Sequence, residues 1–240
     1  WTAAELASCR KVLELYRATE PLYKKWQPLW NCSPEDTDQL AALSAAYLKR
    51  LASCRQSLGA GERLLVPLGL KLENGNRALL LMLLEKKANG RYRFVLVCPS
   101  LVGLAYHAAS AAEPPKLKYR AALELDDVPP ERAEDEAWWM MLVTTSVQHD
   151  NDGSPLYDKL LPWLADVPLE HLFAQQPAAA AGPERATDEW RTPQQARTDS
   201  WRSLTFMLRV LLREVVQLPK PRAKLMKWEL RKQLVIMAGK

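Results

Sequence analysis

With only three histidines and four cysteines in 240 residues, the chain lacks most of what metal and thiol chemistry needs. Cys9, Cys32, Cys54 and Cys98 contain no CxxC, and His107, His149 and His171 fall at no zinc-ligand spacing from them, so no metal is expected. Cys9 and Cys54 both sit in Ala-Ser-Cys-Arg within helical patterns and read as reduced, buried or half-buried residues. No apolar run reaches the ~18 residues that cross a bilayer, and the N-terminus has no basic, apolar, cleavable signal. That predicts no membrane span and an intracellular, cytoplasmic chain, with an organelle left open. Because the sequence opens on Trp1 rather than methionine, it is expected to be a piece of something longer. RNP, KH, zinc-finger and Gly-rich phosphate motifs are missing too, and no cofactor is expected.

What is present is an ordinary globular composition, 48% hydrophobic and 25% charged, enough for a sizeable core. The formal charge of +5 and pI near 9.0 admit an acidic partner, yet Lys and Arg are spread along the chain. The densest cationic stretch, Lys220, Arg222, Lys224, Lys227, Arg231 and Lys232, shares a helical pattern with Leu225, Met226, Trp228, Leu230 and Leu234. It reads as a solvated face over a core stripe before it reads as a nucleic-acid contact.

Residues 3–18 and 36–57 carry helical periodicity, the second introduced by Ser33-Pro34-Glu35-Asp36. Between them Pro21, Trp26, Pro28 and Trp30 read as an aromatic, proline-rich connection. These residues, 1–60, form an expected N-terminal helical pair. From Arg63 the apolar runs become short and β-rich, with candidate strands at 64–72, 78–87, 91–98 and 116–125. Asn89-Gly90 signals a hairpin with a type I′ turn. In the third strand Tyr92, Phe94, Leu96 and Cys98 alternate with Arg91, Arg93, Val95 and Val97, giving one apolar face and one that starts polar. Residues 133–147 and 155–164 read as helices whose tryptophans, Trp138, Trp139 and Trp163, serve the core. The Pro/Ala-rich stretch 175–189 reads as a mobile loop. The expected fold class is α+β, an antiparallel sheet packed against helices on one side, residues 61–240 forming its main domain.

The stretch from Arg191 to Val215 begins as a polar loop and becomes an amphipathic helix with Trp201, Leu204, Leu208, Leu211 and Val215 as its stripe. Asp199 or Thr198 suits its N-cap. The same order, a glutamine, small residues, a reactive side chain at a helix start and tryptophan two residues on, is how a papain-like cysteine peptidase presents its nucleophile; here that position holds Asp199.

Three segments together resemble the permuted papain-like peptidase module of very large eukaryotic proteins, over roughly residues 62–237. Its pattern is Gly-His-Ala at a hairpin, then Asn-Thr-Gly-x-Gly-Leu-x-Tyr-His, then Pro-Gln-x-Ser-Gly-Thr-Cys-x-Trp. Asn76-Arg77-Ala78 stands at the first. Pro99 to His107 keeps Gly103, Leu104, Tyr106 and His107 but has Pro99 for asparagine. Pro193 to Trp201 keeps Pro193, Gln194, Thr198 and Trp201 but has Asp199 for cysteine. The resemblance therefore implies a degenerate site, Arg77, Pro99 and Asp199, with no catalytic residue, and a cleft flanked by Gln194, Trp201, Tyr106 and His107 that binds a protein or peptide. It implies a papain-like core and a non-catalytic scaffolding module within a larger polypeptide or complex. Two alternatives stay open. One is a basic RNA- or DNA-associated factor using the closing helix with Arg91, Arg93 and Arg202; the other is a hydrolase with reassigned residues, Cys98 as nucleophile and His107 as base.

Overall fold

The computed structural model describes residues 2–33, 35–71, 77–98, 102, 106–107, 109–110, 118–148, 151–168, 171–172, 190–191 and 199–238. The fold is α+β. Its centre is an antiparallel sheet of order β1-β2-β3-β6, formed by Arg63–Lys71, Arg77–Lys86, Tyr92–Val97 and Ala122–Val128. A small second sheet pairs β4 (Ala109–Ser110), β5 (Lys118–Arg120) and β7 (Trp190–Arg191). The strand expected at 116–125 is thus two strands in different sheets.

The β2–β3 hairpin forms with Leu81 opposite Val97 and Lys86 opposite Tyr92, but its turn is not type I′. Lys87 and Arg91 close a three-residue connection, Lys87 N–H donating to Arg91 C=O at 2.7 Å. Gly90 alone of the three has a positive φ, +81°, while Asn89 Oδ1 accepts from Arg91 N–H at 3.1 Å. That is the longer hairpin loop that needs one left-handed residue rather than two.

Helices cover both faces of the sheet, not one. Period-two alternation explains why: Leu64, Val66, Leu68, Leu80, Met82, Leu84, Phe94 and Leu96 point into one core, and Leu65, Leu81, Leu83, Val95 and Val97 into the other. The first core is closed by α2 (Thr37–Gln56), α4 (Glu136–Val147) and a π-helical turn, Pro155–Leu160, that runs into α5 (Leu161–Ala165). The short α3 (Pro130–Ala133) leads into α4. The second core is closed by α6 (Asp199–Glu214) and α7 (Lys220–Ala238).

The first helix serves both cores. It runs unbroken as α1 from Ala3 to Asn31, 29 residues with Pro21 and Pro28 inside it, so the proline-rich connection expected after residue 18 is helix. Thr19, Leu22, Trp26 and Leu29 keep the buried stripe at spacings of three and four through both prolines. Tertiary burial of that stripe outweighs the hydrogen bond each proline removes. Cys9 and Val12 pack in the second core, Leu22, Trp26 and Leu29 in the first, so α1 passes from one face to the other alongside the edge strand β1. Tyr47 of α2 donates to Pro67 C=O of that strand at 2.8 Å. The buried Lys71 ammonium donates to Cys32 C=O at 3.2 Å, at the negative end of the α1 dipole.

Trp138 and Trp139 are core residues, as expected. Trp163 is not: it is 43% exposed, with the Arg132 guanidinium 5.3 Å from its ring centre.

Candidate functional site

Ser203 lies one turn into α6, and its buried hydroxyl donates to Leu79 C=O of β2 at 2.6 Å. At the far end of the helix, Glu214 accepts from Arg93 at 2.7 Å, and Arg93 also bonds Glu85 of β2 at 3.4 Å. Ser203 to Glu214 spans about 16 Å of helix, and Leu79 to Glu85 about 20 Å of strand, so α6 runs along β2 in the same direction. Asp199, the first residue of α6, and Arg77, the first of β2, therefore belong to the same end of the sheet. There β3 also ends, Val97 lying opposite Leu81 with Cys98 next. Pro99 and Gln194 lie outside the described residues, as do His149 and the segment 175–189, and Arg77, Asp199 and Trp201 are described through their backbone alone.

Beside this end is a buried polar cluster. His107 Nδ1 is 2.7 Å from Arg120 C=O and Nε2 is 2.9 Å from the Tyr157 hydroxyl. A carbonyl only accepts, so Nδ1 carries the proton and donates, and Nε2 accepts from Tyr157. Tyr157 is hydrogen-bonded to the Cys98 thiol as well, and Tyr119 O–H donates to Cys98 C=O at 3.1 Å. Burial pushes the His107 pKa down to about 4, against a smaller upward pull from Arg120 C=O, and drives Tyr157 well above the ordinary phenol value. Cys98 has no exposed surface and His107 is 3% exposed. A neutral imidazole with both nitrogens engaged, separated from a buried thiol by a phenol, is a core network and not a nucleophile–base pair. Tyr106, half-buried, stacks on Tyr157 with ring centres 4.5 Å apart.

The sequence reading names Tyr106 and His107 as cleft residues and does not name Tyr157, the network partner fifty residues away in sequence. No local signal connects them, because the π-helical turn that carries Tyr157 meets His107 only through the fold.

The cations assigned to phosphate contacts are engaged in part. Arg93 bonds Glu124 and Glu214, each at 2.7 Å. Arg91 pairs with Asp127 at 2.9 Å; Arg202 is exposed. Acidic residues that neighbour one another in sequence, at 126–127 and 134–136, are similarly engaged. Asp126 pairs with Lys87, Asp135 caps α4 and Glu136 pairs with Arg55 at 2.5 Å. Among the described residues no group of His, Cys, Asp and Glu could hold a metal ion. No helix is long and apolar enough to cross a membrane among the same residues. His171 stands exposed in a helical turn.

Against known proteins the chain stands apart: no family model matches it, and no curated protein or solved structure does.

Proposed function

We propose that the chain is a pseudopeptidase, a papain-like frame that binds an extended protein segment without cutting it and acts as an interaction module in a larger polypeptide or complex. One observation carries the reading. The starts of α6 and β2 and the end of β3 belong to one end of the sheet, fixed by the Ser203–Leu79 hydrogen bond and the Glu214–Arg93–Glu85 contacts. The first two elements carry Asp199 and Arg77, which stand at the thiol and imidazole positions of the resembled family, and the third leads in sequence to Pro99, which stands at its amide position. A carboxylate at the thiol position does no acyl transfer by that mechanism at neutral pH, and a guanidinium stays protonated and takes no proton. The rival hydrolase built on Cys98 and His107 draws no support from a buried thiol and an imidazole already engaged at both nitrogens. Walls that hydrogen-bond an extended backbone need no nucleophile.

The test is a display screen of random extended peptides against the whole chain. Selected peptides are expected to bind at least tenfold more weakly to Gln194→Ala and Trp201→Ala, and to keep their mass on prolonged incubation. Binders indifferent to both substitutions would remove the cleft from the account. Cleavage that disappears in Cys98→Ala would establish the hydrolase instead.

A further inference from the structure

Helix α7 buries Ala223, Met226 and Leu230 in the second core. Its opposite face presents Leu225, 63% exposed, and Trp228, 56% exposed, three residues apart and therefore adjacent on the helix surface. Lys224 stands one turn before Trp228. Arg231 stands one turn after it, its guanidinium 5.2 Å from the ring centre. Arg222 pairs with Glu5 at the capped start of α1, which fixes the orientation of the helix. From Lys220 to Arg231 five cations, Lys220, Arg222, Lys224, Lys227 and Arg231, accompany the single carboxylate Glu229.

We propose that this face docks an acidic amphipathic helix of a protein partner, which sets its apolar residues on Leu225 and Trp228 and its carboxylates toward Lys224 and Arg231. Charge complementarity selects the sign of the partner, and the two large apolar side chains call for apolar anchors in return. Two other anionic occupants fit less well. A nucleobase stacks on an open aromatic face, but Arg231 already lies over the Trp228 ring, and Leu225 offers a base no hydrogen bond. A lipid surface favours a broad apolar face, whereas here the exposed Glu229 stands beside the two apolar residues and would meet the phosphates. The face lies on the outer surface of α7, so the proposal holds independently of the cleft at the sheet end.

The experiment titrates the whole chain into a fluorescently labelled short helix with Leu and Phe one turn apart and Glu on both flanks, beside a twin with Lys for every Glu. The acidic helix is expected to bind, the Lys twin not to bind, and the affinity to fall tenfold or more in both Trp228→Ala and Leu225→Ser. Both variants should keep the parent's thermal midpoint, since neither side chain is in the core. No binding, equal binding of the two helices, or indifference to both substitutions overturns the proposal. So does Trp228-dependent binding of poly-uridine RNA or phosphatidylserine vesicles in place of the acidic helix, or self-association that Trp228→Ala abolishes. Gln194→Ala and Trp201→Ala should leave this binding unchanged, so a failure here and a failure of the cleft are read separately.

Discussion

Gly69 sits on β1 against Trp30, and a Cβ built there would fall 2.2 Å from two atoms of the indole ring. Gly69→Ala is therefore expected to cost about 2 to 3 kcal/mol by overpacking, and Trp30→Leu in the same chain to recover part of it; chemical denaturation of the two variants checks both. His107 gives a pH dependence at the same scale. Its folded pKa of about 4 lies below the ordinary 6.5, so the folded state binds the proton less well than the unfolded one. The stability this lends is fully present above pH 6.5 and is lost as the pH falls toward 4. The window is worth about 3 kcal/mol. Asp126 and Asp152 are held below the usual carboxylate value, 3.8, so their contribution persists above that pH and is lost at more acid pH. Urea midpoints between pH 7 and pH 4 should fall in the parent and be much flatter in His107→Gln; parallel slopes would place the titration elsewhere. The identity of His107 was legible from sequence, but its role was not, because that role is set by Arg120 C=O and Tyr157.

Among the elements, the strands were the readable part. Alternation in β3 assigned Tyr92, Phe94, Leu96 and Cys98 to one side correctly, and the other side is Val95 and Val97 with Arg93 at its polar start. Helix α1 was misread because prolines punctuate sequence more strongly than they punctuate a helix whose stripe is buried on both sides of them. Arg93 gathers Glu85, Glu124 and Glu214 while its own side chain is 13% exposed. Burial works against its charged form, and the bonds to Glu124 and the nearby Glu214 more than offset it. Arg93→Met would leave three carboxylates together under the end of α6 and is expected to cost about 3 to 5 kcal/mol. Adding Glu124→Gln and Glu214→Gln should return part of that, as a thermal melt of the triple variant would show. At the β2–β3 turn, Gly90→Ala should cost about 1 kcal/mol because φ is +81°, while Asn89→Ala, at an ordinary φ, should cost less.

For the whole molecule, the sequence supported the α+β class and the central hairpin but not the second layer of helices. The apolar run of β2, Ala78 to Leu84, is buried at nearly every position because α6 covers what α4 does not. A continuous run of that kind is the mark of a strand buried on both faces. The proposed degenerate site rests on a resemblance spread over three distant segments; the proposed meeting of Arg77 and Asp199 at one end of the sheet depends on the direction in which α6 runs along β2, which no residue pattern encodes.

That meeting is tested most directly by a double-mutant cycle on Arg77 and Asp199, read by denaturant unfolding of the parent, Arg77→Ala, Asp199→Ala and the double variant. The account predicts an ion pair between these two residues. Each single substitution should then destabilise the fold, and the double variant should lose less than their sum by about 1 kcal/mol or more. Additivity within about 0.3 to 0.5 kcal/mol would mean the two residues do not meet. Asp199 would then be a helix-end carboxylate and nothing more, and the pseudopeptidase reading would be contradicted at its centre.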